Sequence, residues 1–292
     1  MARRPFRGLR DKRAWRRFRS NRVGLVCLAF VVALVAMAVL GVVATPKDPD
    51  AQDLLARNVG PSGEHLLGAD AFGRDVLSRL LVGARTSLVA AGIALGAAVL
   101  LGVPLGIVAG YARGGILDVL ASRVADVLMS LPPLILAMAI AGISGGGLRN
   151  AMLAVGLVLA PRFFRVARAE AASNAGKPFV EAARADGCST ARLLWRYILP
   201  SSGGPLLVQV SFAVGFIITA EASLSFLGLG VEPPTASWGS MLRDAYTQVN
   251  RNSFQIFPPA VMITLSVAVF AVLGDVVRDV SGRMRDAGGG RS

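Results

Sequence analysis

Residues 181–200 read EAARADGCSTARLLWRYILP, a polar and partly basic stretch set between long apolar runs. Its local signals are those of two short helices with a break between them. Pro178 suits the first turn of the first helix, where its missing N–H costs nothing. Gly187 supplies the left-handed residue that ends that helix, and Ser189 or Thr190 can cap the next. Leu199-Pro200 closes the unit, with Pro200 suited to the first turn of the helix that follows. Each piece falls well short of the roughly 12–15 residues that an isolated helix needs to be even marginal in water. Such a pair requires a surface to dock on.

The flanks decide the class. Hydrophobic residues make up 54% of the 292 and charged residues only 17%, with a mean hydropathy of +0.58, which is the composition of an all-α, polytopic membrane protein. Met1 to Arg22 is a basic tail with ten Lys/Arg and a single acid, Asp11, suited to an anionic inner leaflet. The uncharged run 23–43 is too long for a signal-peptide core and ends without a small-x-small cleavage site, so it reads as a retained first span within residues 23–45. Residues 46–85 form a polar excursion that holds His65, the chain's one histidine, with no nucleophile beside it. Val76, Leu77, Leu80 and Leu81 make an apolar stripe opposed by Arg74, Asp75, Arg79 and Arg85, which predicts a separate helix lying on the membrane surface.

A core at 86–280 supplies the other five spans. The second, 87–110, is rich in small residues that let helices approach closely. The third, 120–143, contains Pro132-Pro133, which must break its hydrogen-bond ladder and is a candidate for gating. A glycine turn leads to the fourth, 150–168, whose Arg162 and Arg165 can snorkel from its inner end. The fifth, 205–227, carries Glu221, a carboxylate inside an apolar run. Such an acid belongs to a path or to a structural pairing, and its place towards the outer end favours pairing. The sixth runs 254–273, before a tail at 281–292.

Several motifs carry a resemblance. Glu181-Ala182-Ala183, three residues, Gly187, and then Leu199-Pro200 resemble the EAA loop of bacterial ABC importer permeases, with Tyr197 where an apolar residue usually stands. HLLGADAFGRDVLSRLLVGARTSL at 65–88 and SLSFLGLGVEPPTASWGSM at 223–241 resemble signatures of the dipeptide/oligopeptide branch, and Gly274-Asp275-Val276-Val277-Arg278-Asp279 resembles the closing motif. From about residue 19 to 280 the chain is similar to the shorter, C-type permease subunit of that branch. The resemblance implies a type I ABC importer permease fold. It makes the stretch within 169–203 a cytoplasmic coupling loop, with Glu181, Ala182, Ala183, Asp186, Gly187, Leu199 and Pro200 as its ATPase-coupling residues. It further implies a homologous permease partner, two cytoplasmic ATPase subunits and an extracytoplasmic binding protein working by alternating access. Substrates in the family include dipeptides, longer peptides, nickel complexes and other small solutes. On the outer side, Pro233-Pro234 stiffens a loop and Trp238 is an amphipathic ring suited to the binding protein or to headgroup anchoring.

Charge sets the expected orientation. With six spans and both termini inside, 23 of the 31 Lys/Arg fall on the inner side, which places the coupling stretch in the cytoplasm. Other classes are narrowed by what the chain lacks. No GxxxxGK[ST] loop is present, so ATP and its magnesium belong to partner subunits and no cofactor is expected here. Cys27 and Cys188 form neither a disulfide framework nor a metal site. A helix-turn-helix that binds nucleic acid is excluded, since a reading head wedged between two spans cannot reach a groove. Two rivals stand beside the permease reading: an ion-driven carrier working without an ATPase, and a membrane scaffold or sensor.

Overall fold

The structure, a computed structural model, describes residues 21–289, with side chains described through Val280. The basic tail at 1–20 and the last residues of the C-terminal tail lie outside the described residues. Apart from one isolated bridge between Ala69 and Asp75, the described regular structure is helical. Helix α1 spans Arg22–Val43, and Asn21 caps it by accepting the Val23 and Gly24 N–H groups. Helix α2 spans Val76–Tyr111, α3 Ile116–Ser130, α4 Pro133–Ile143 and α5 Leu148–Ala175. The short helix α6 covers Pro178–Ala185. A second arm follows, made of α7 at Thr190–Leu193, a π turn at Leu194–Ile198 and α8 at Leu199–Ser201. Helices α9, Gly203–Phe226, α10, Trp238–Thr247, and α11, Phe257–Gly289, complete the chain.

Among the described residues, five helices are long and apolar enough to cross a membrane, or six if the bent pair of α3 and α4 is one span. The expected third span is therefore not one kinked helix. Its halves meet at 96°. The reason is local: a proline pushes the residue before it into extended backbone, and here two follow in succession. Leu131 and Pro132 both adopt ψ values above 120°, and Pro133 then starts α4 at a position where no N–H is needed.

A second correction concerns the outer end of α2. No separate interfacial helix forms. Val76 opens a single 36-residue helix, capped by the Asp75 carboxylate accepting the Ser78 N–H. Arg74, Asp75 and Arg79 are buried along with Val76 and Leu80, while Arg85 is exposed. Arg74, Asp75 and Arg79 pair inside the protein instead of meeting water, so most of the charged face is interior along with Val76 and Leu80. The fourth span likewise runs past Arg168 to Ala175.

The tightest packing joins α2 to α5. Gly102, Gly106 and Gly110 recur every four residues on α2, and a Cβ on them would collide with the carbonyl oxygens of Ala160, Phe164 and Arg168. Gly156 answers from α5, where a Cβ would stand 2.6 Å from the Ala94 carbonyl oxygen. Near the N-terminal end of α2, α10 packs similarly. The Trp238 indole is wholly buried, its Nε1–H donates to the Leu80 carbonyl at 3.1 Å, and a Cβ on Gly83 would stand 2.7 Å from Trp238 Cδ1. The bond of Thr86 Oγ1 to the Ala236 carbonyl, at 2.8 Å, ties the segment between α9 and α10 to α2, and that of Asn252 Nδ2 to the Asn58 carbonyl, at 3.1 Å, ties the segment after α10 to the one before α2, so these segments form one cap.

Three substitutions test this packing in the purified chain in detergent. Gly106→Ala is expected to cost about 1–3 kcal/mol through overpacking and to lower the melting temperature. Gly92→Ala, where the new methyl meets nothing within 4 Å, is expected to be neutral or to stabilise by up to about 1 kcal/mol, because alanine is the better helix former. Equal shifts from the two would refute the close-contact account. Trp238→Ala is expected to cost about 3–5 kcal/mol, read by the same melt, and an unchanged melting temperature would show that the ring is not a core residue.

Candidate functional site

The helical bundle places the coupling stretch at the end of α5. Gly176-Lys177 breaks the helix, and Pro178 begins α6 with Lys177 in extended backbone at the cap position. Helix α6 closes as a Schellman motif: the Cys188 N–H bonds the Ala183 carbonyl at 3.1 Å and the Gly187 N–H bonds the Arg184 carbonyl at 3.0 Å. Gly187 has φ +74°, the left-handed conformation a glycine adopts without strain. Val180 and Ala183 point into the core, whereas Phe179, Glu181, Ala182, Ala185 and Asp186 are exposed on the opposite side. Eight residues cannot hold a helix alone, and the two buried side chains fix which face is left bare.

The second arm departs from expectation. Ser189 stands at the cap position, but its side chain makes no capping bond. The helix that follows is not a free short piece either, because it widens into the π turn and continues almost directly into α9. Pro200 accounts for the widening: it has no N–H for the Arg196 carbonyl and its ring crowds that group. The Leu199 N–H bonds the Leu194 carbonyl instead. Leu199 turns into an apolar groove of about 280 Å³ lined with Val103, Phe163, Trp195 and Val210, while Pro200 is exposed. Of the residues expected to couple, Glu181, Ala182, Asp186 and Gly187 thus share the bare side of α6 and its cap. Ala183 is internal, and Leu199-Pro200 belongs to the root of α9. The two arms are tied at their base, where Lys177 Nζ donates to Asn174 Oδ1 at 2.5 Å and Asn174 Nδ2 to Ser202 Oγ at 3.4 Å.

Basic side chains gather at this end. Arg165 bonds Asp126 at 2.6 Å, and Arg162 lies 5.5 Å over the Phe216 ring. Arg168 grips Asp118 through two N–H groups, and Arg184 donates to the Tyr111 hydroxyl at 2.9 Å. The last two contacts could not be inferred from sequence, since they join residues 50 and 73 positions apart.

Near the C-terminal end of α9, Glu221 is 1% exposed and enclosed against α2. Its carboxylate accepts from Ser225 Oγ at 2.7 Å and from Ser87 Oγ at 3.3 Å. It is paired, as its position suggested, but with hydroxyls and not with a cation. Pro132 and Pro133 stand apart from it, at the α3–α4 elbow.

The outer candidates separate. Pro233 and Pro234 are exposed, within an exposed turn from Glu232 to Thr235. Trp238 is neither a partner-facing ring nor a headgroup anchor, because it is 0% exposed and bonded to α2. Behind the turn lies a buried ionic cluster. Arg74 bonds Asp70 at 2.7 Å and Asp244 at 3.3 Å, and Arg79 reaches Asp50 at 3.3 Å and the Pro234 carbonyl at 3.4 Å. His65 bridges Asp75, at 3.0 Å, and Lys47, at 3.3 Å, which is a structural role.

Comparison with known proteins follows this geometry. Residues 102–285 match the family described as the binding-protein-dependent transport system inner membrane component, and residues 12–61 match the N-terminal TM domain of oligopeptide transport permease C. The dipeptide transport system permease protein DppC of Alkalihalophilus pseudofirmus is 34% identical over 92% of this chain and 88% of its own. The glutathione transport system permease protein GsiD of Pectobacterium atrosepticum is 37% identical over 91% of this chain and 88% of its own. A solved inward-facing structure of the MetNI methionine ABC transporter superposes with a TM-score of 0.56 at 19% identity, covering 69% of this chain and 96% of that one, and so shares its fold. The chain therefore belongs to the inner membrane components of binding-protein-dependent transport systems, as a multi-pass, non-catalytic permease subunit of an ABC importer in the bacterial inner membrane.

Proposed function

We propose that this permease carries dipeptides, oligopeptides or peptide-like solutes such as glutathione, and that α6 is the helix that seats on an ATPase subunit in the cytoplasm. The observation that carries the reading is the bare side of α6. A cap built on Gly187 and two inward side chains hold out Phe179, Glu181, Ala182 and Asp186 as a preformed surface. A preformed surface loses little conformational entropy on docking. The substrate class rests on the similarity to DppC and GsiD. The assembly comprises this chain, a homologous permease, two ATPase subunits and an extracytoplasmic binding protein. ATP closes the ATPase pair, α6 moves with it, and the spans reorient about a central path. The binding protein meets the outer cap at the turn Glu232–Thr235, with Pro233 and Pro234 at its tip and Trp238 supporting it from within. Both termini lie in the cytoplasm.

The coupling reading is tested in reconstituted vesicles holding the complete transporter. Gly187→Val forces a β-branched side chain to positive φ, a strain of about 1–3 kcal/mol, and Glu181→Lys inverts a charge on the bare side. Each is expected to insert normally and to lower transport-coupled ATP hydrolysis about tenfold, the factor that 1.4 kcal/mol represents. A variant that assembles and transports at the wild-type rate refutes the role of α6.

Orientation is tested by thiol labelling in a background lacking Cys27 and Cys188. Ser189→Cys should react with an impermeant reagent only from the cytoplasmic side, and Ser62→Cys only from outside. Both serines are exposed, so access is not blocked by packing. The reverse pattern overturns the charge count.

A further inference from the structure

We propose that the contact between Arg184 and Tyr111 is the joint through which a displacement of α6 enters the turn between α2 and α3. Tyr111 is the last residue of α2, and Arg184 stands in the last turn of α6. The Arg184 guanidinium donates to the Tyr111 hydroxyl at 2.9 Å and lies 5.6 Å from the centre of the same ring. One side chain thus meets both the polar edge and the face of the other.

The turn beyond Tyr111 is held from its far side as well. Arg168 of α5 grips Asp118, with one of its two bonds at 2.9 Å, and Asp118 also accepts the Gly114 N–H at 3.0 Å. Residues 111–118 therefore lie between two arginines, one on α5 and one on α6. The two grips differ in kind. Asp118 is 3% exposed and held by a two-pronged ion pair, whereas Arg184 is exposed and makes one hydrogen bond and a ring contact. A bidentate pair on a buried carboxylate, even with its arginine 36% exposed, resists opening more than a single exposed contact, which exchanges readily with water. The first is an anchor, and the second is the place where movement enters. Gly114 lies between them with φ +85° and nothing within 4 Å of a Cβ, so the turn has room to yield.

This inference rests on the reading of α6 as the ATPase-facing helix, and its test separates the two. The complete transporter is reconstituted in vesicles with the loaded binding protein. Tyr111→Phe keeps the ring and removes the hydroxyl; Arg184→Lys keeps the charge and removes the planar fork. Each variant is expected to retain its ATPase subunits and its basal ATP hydrolysis. Stimulation by the loaded binding protein should fall about fivefold, the factor corresponding to one hydrogen bond of ordinary net strength. The double variant should be no worse than either single one, because both break the same contact. Losses that multiply in the double variant overturn the joint. So does full stimulation in Tyr111→Phe, including the case where Arg184→Lys alone is impaired, which would place Arg184 against the ATPase. If the wild-type chain itself retains no ATPase subunit, the underlying reading of α6 fails and the joint fails with it.

Discussion

The backbone contact between α2 and α5 is the constraint on which the rest depends. Lipid tails are as apolar as leucine, so two helices gain nothing by hiding apolar surface from water inside a bilayer. Close van der Waals contact must hold them together. Glycines at 102, 106 and 110 remove the side chains that would keep the axes apart, and Gly156 does the same from the partner helix. With that pair fixed, Arg165 and Arg168 stand where Asp126 and Asp118 of α3 can reach them. The inner half of the bundle is thus assembled on one seam of small residues.

Polar groups are then confined to places where each finds a partner. A buried charge is costly unless it is paired and hydrogen-bonded. At the outer end Asp70, Arg74, Arg79 and Asp244 satisfy one another, and the exposed turn at 232–235 is held to α2 by the Arg79 bonds to the Pro234 carbonyl. Glu221 lies deeper and meets serine hydroxyls from its own helix and from α2. These contacts fasten α9, α10 and the cap segments to the α2–α5 seam, so the cap and the end of the bundle that carries α6 are built on one frame.

How much of this could be read in advance depended on whether the cause was local. Pro178 and Gly187 mark the bounds of α6 because helix starts and left-handed caps are set by one or two residues, and both stand where the sequence places them. The apolar runs located the long helices for the same reason. Three features escaped because their causes are distant or cooperative. The stripe at 76–81 has the pattern of an interfacial helix, and only the tertiary cluster around Arg74 and Arg79 turns its charges inward. Trp238 has the chemistry of an interface ring, but Gly83 leaves a space on α2 that takes the ring inside, and Gly239 lets α10 close on the Ala222 backbone of α9. Two adjacent prolines announced a disruption of the third span, yet not its size of 96°, since a proline sets the backbone of one or two residues and not the packing of the helices on either side. The residues expected to couple lie in one stretch of sequence, but their division between α6 and the root of α9 is a matter of packing that spacing alone does not encode.

The elbow between α3 and α4 settles a question of parity. At about 1.5 Å per residue the two pieces are roughly 22 Å and 16 Å long, so neither alone reaches across about 30 Å of hydrocarbon. The pair begins beside Arg168, where Asp118 is held, and the turn that follows it reaches Gly147, where a Cβ would stand 3.7 Å from Glu232 Oε1. Those neighbours belong to opposite ends of the bundle. The bent pair therefore runs from one end of the bundle to the other, and the described long passages are even in number. An even number returns the chain to the end from which it set out, so the start of the helix at Arg22, the far part of the one that runs through Arg278 and the loop carrying Glu181 all lie at the same end of the bundle.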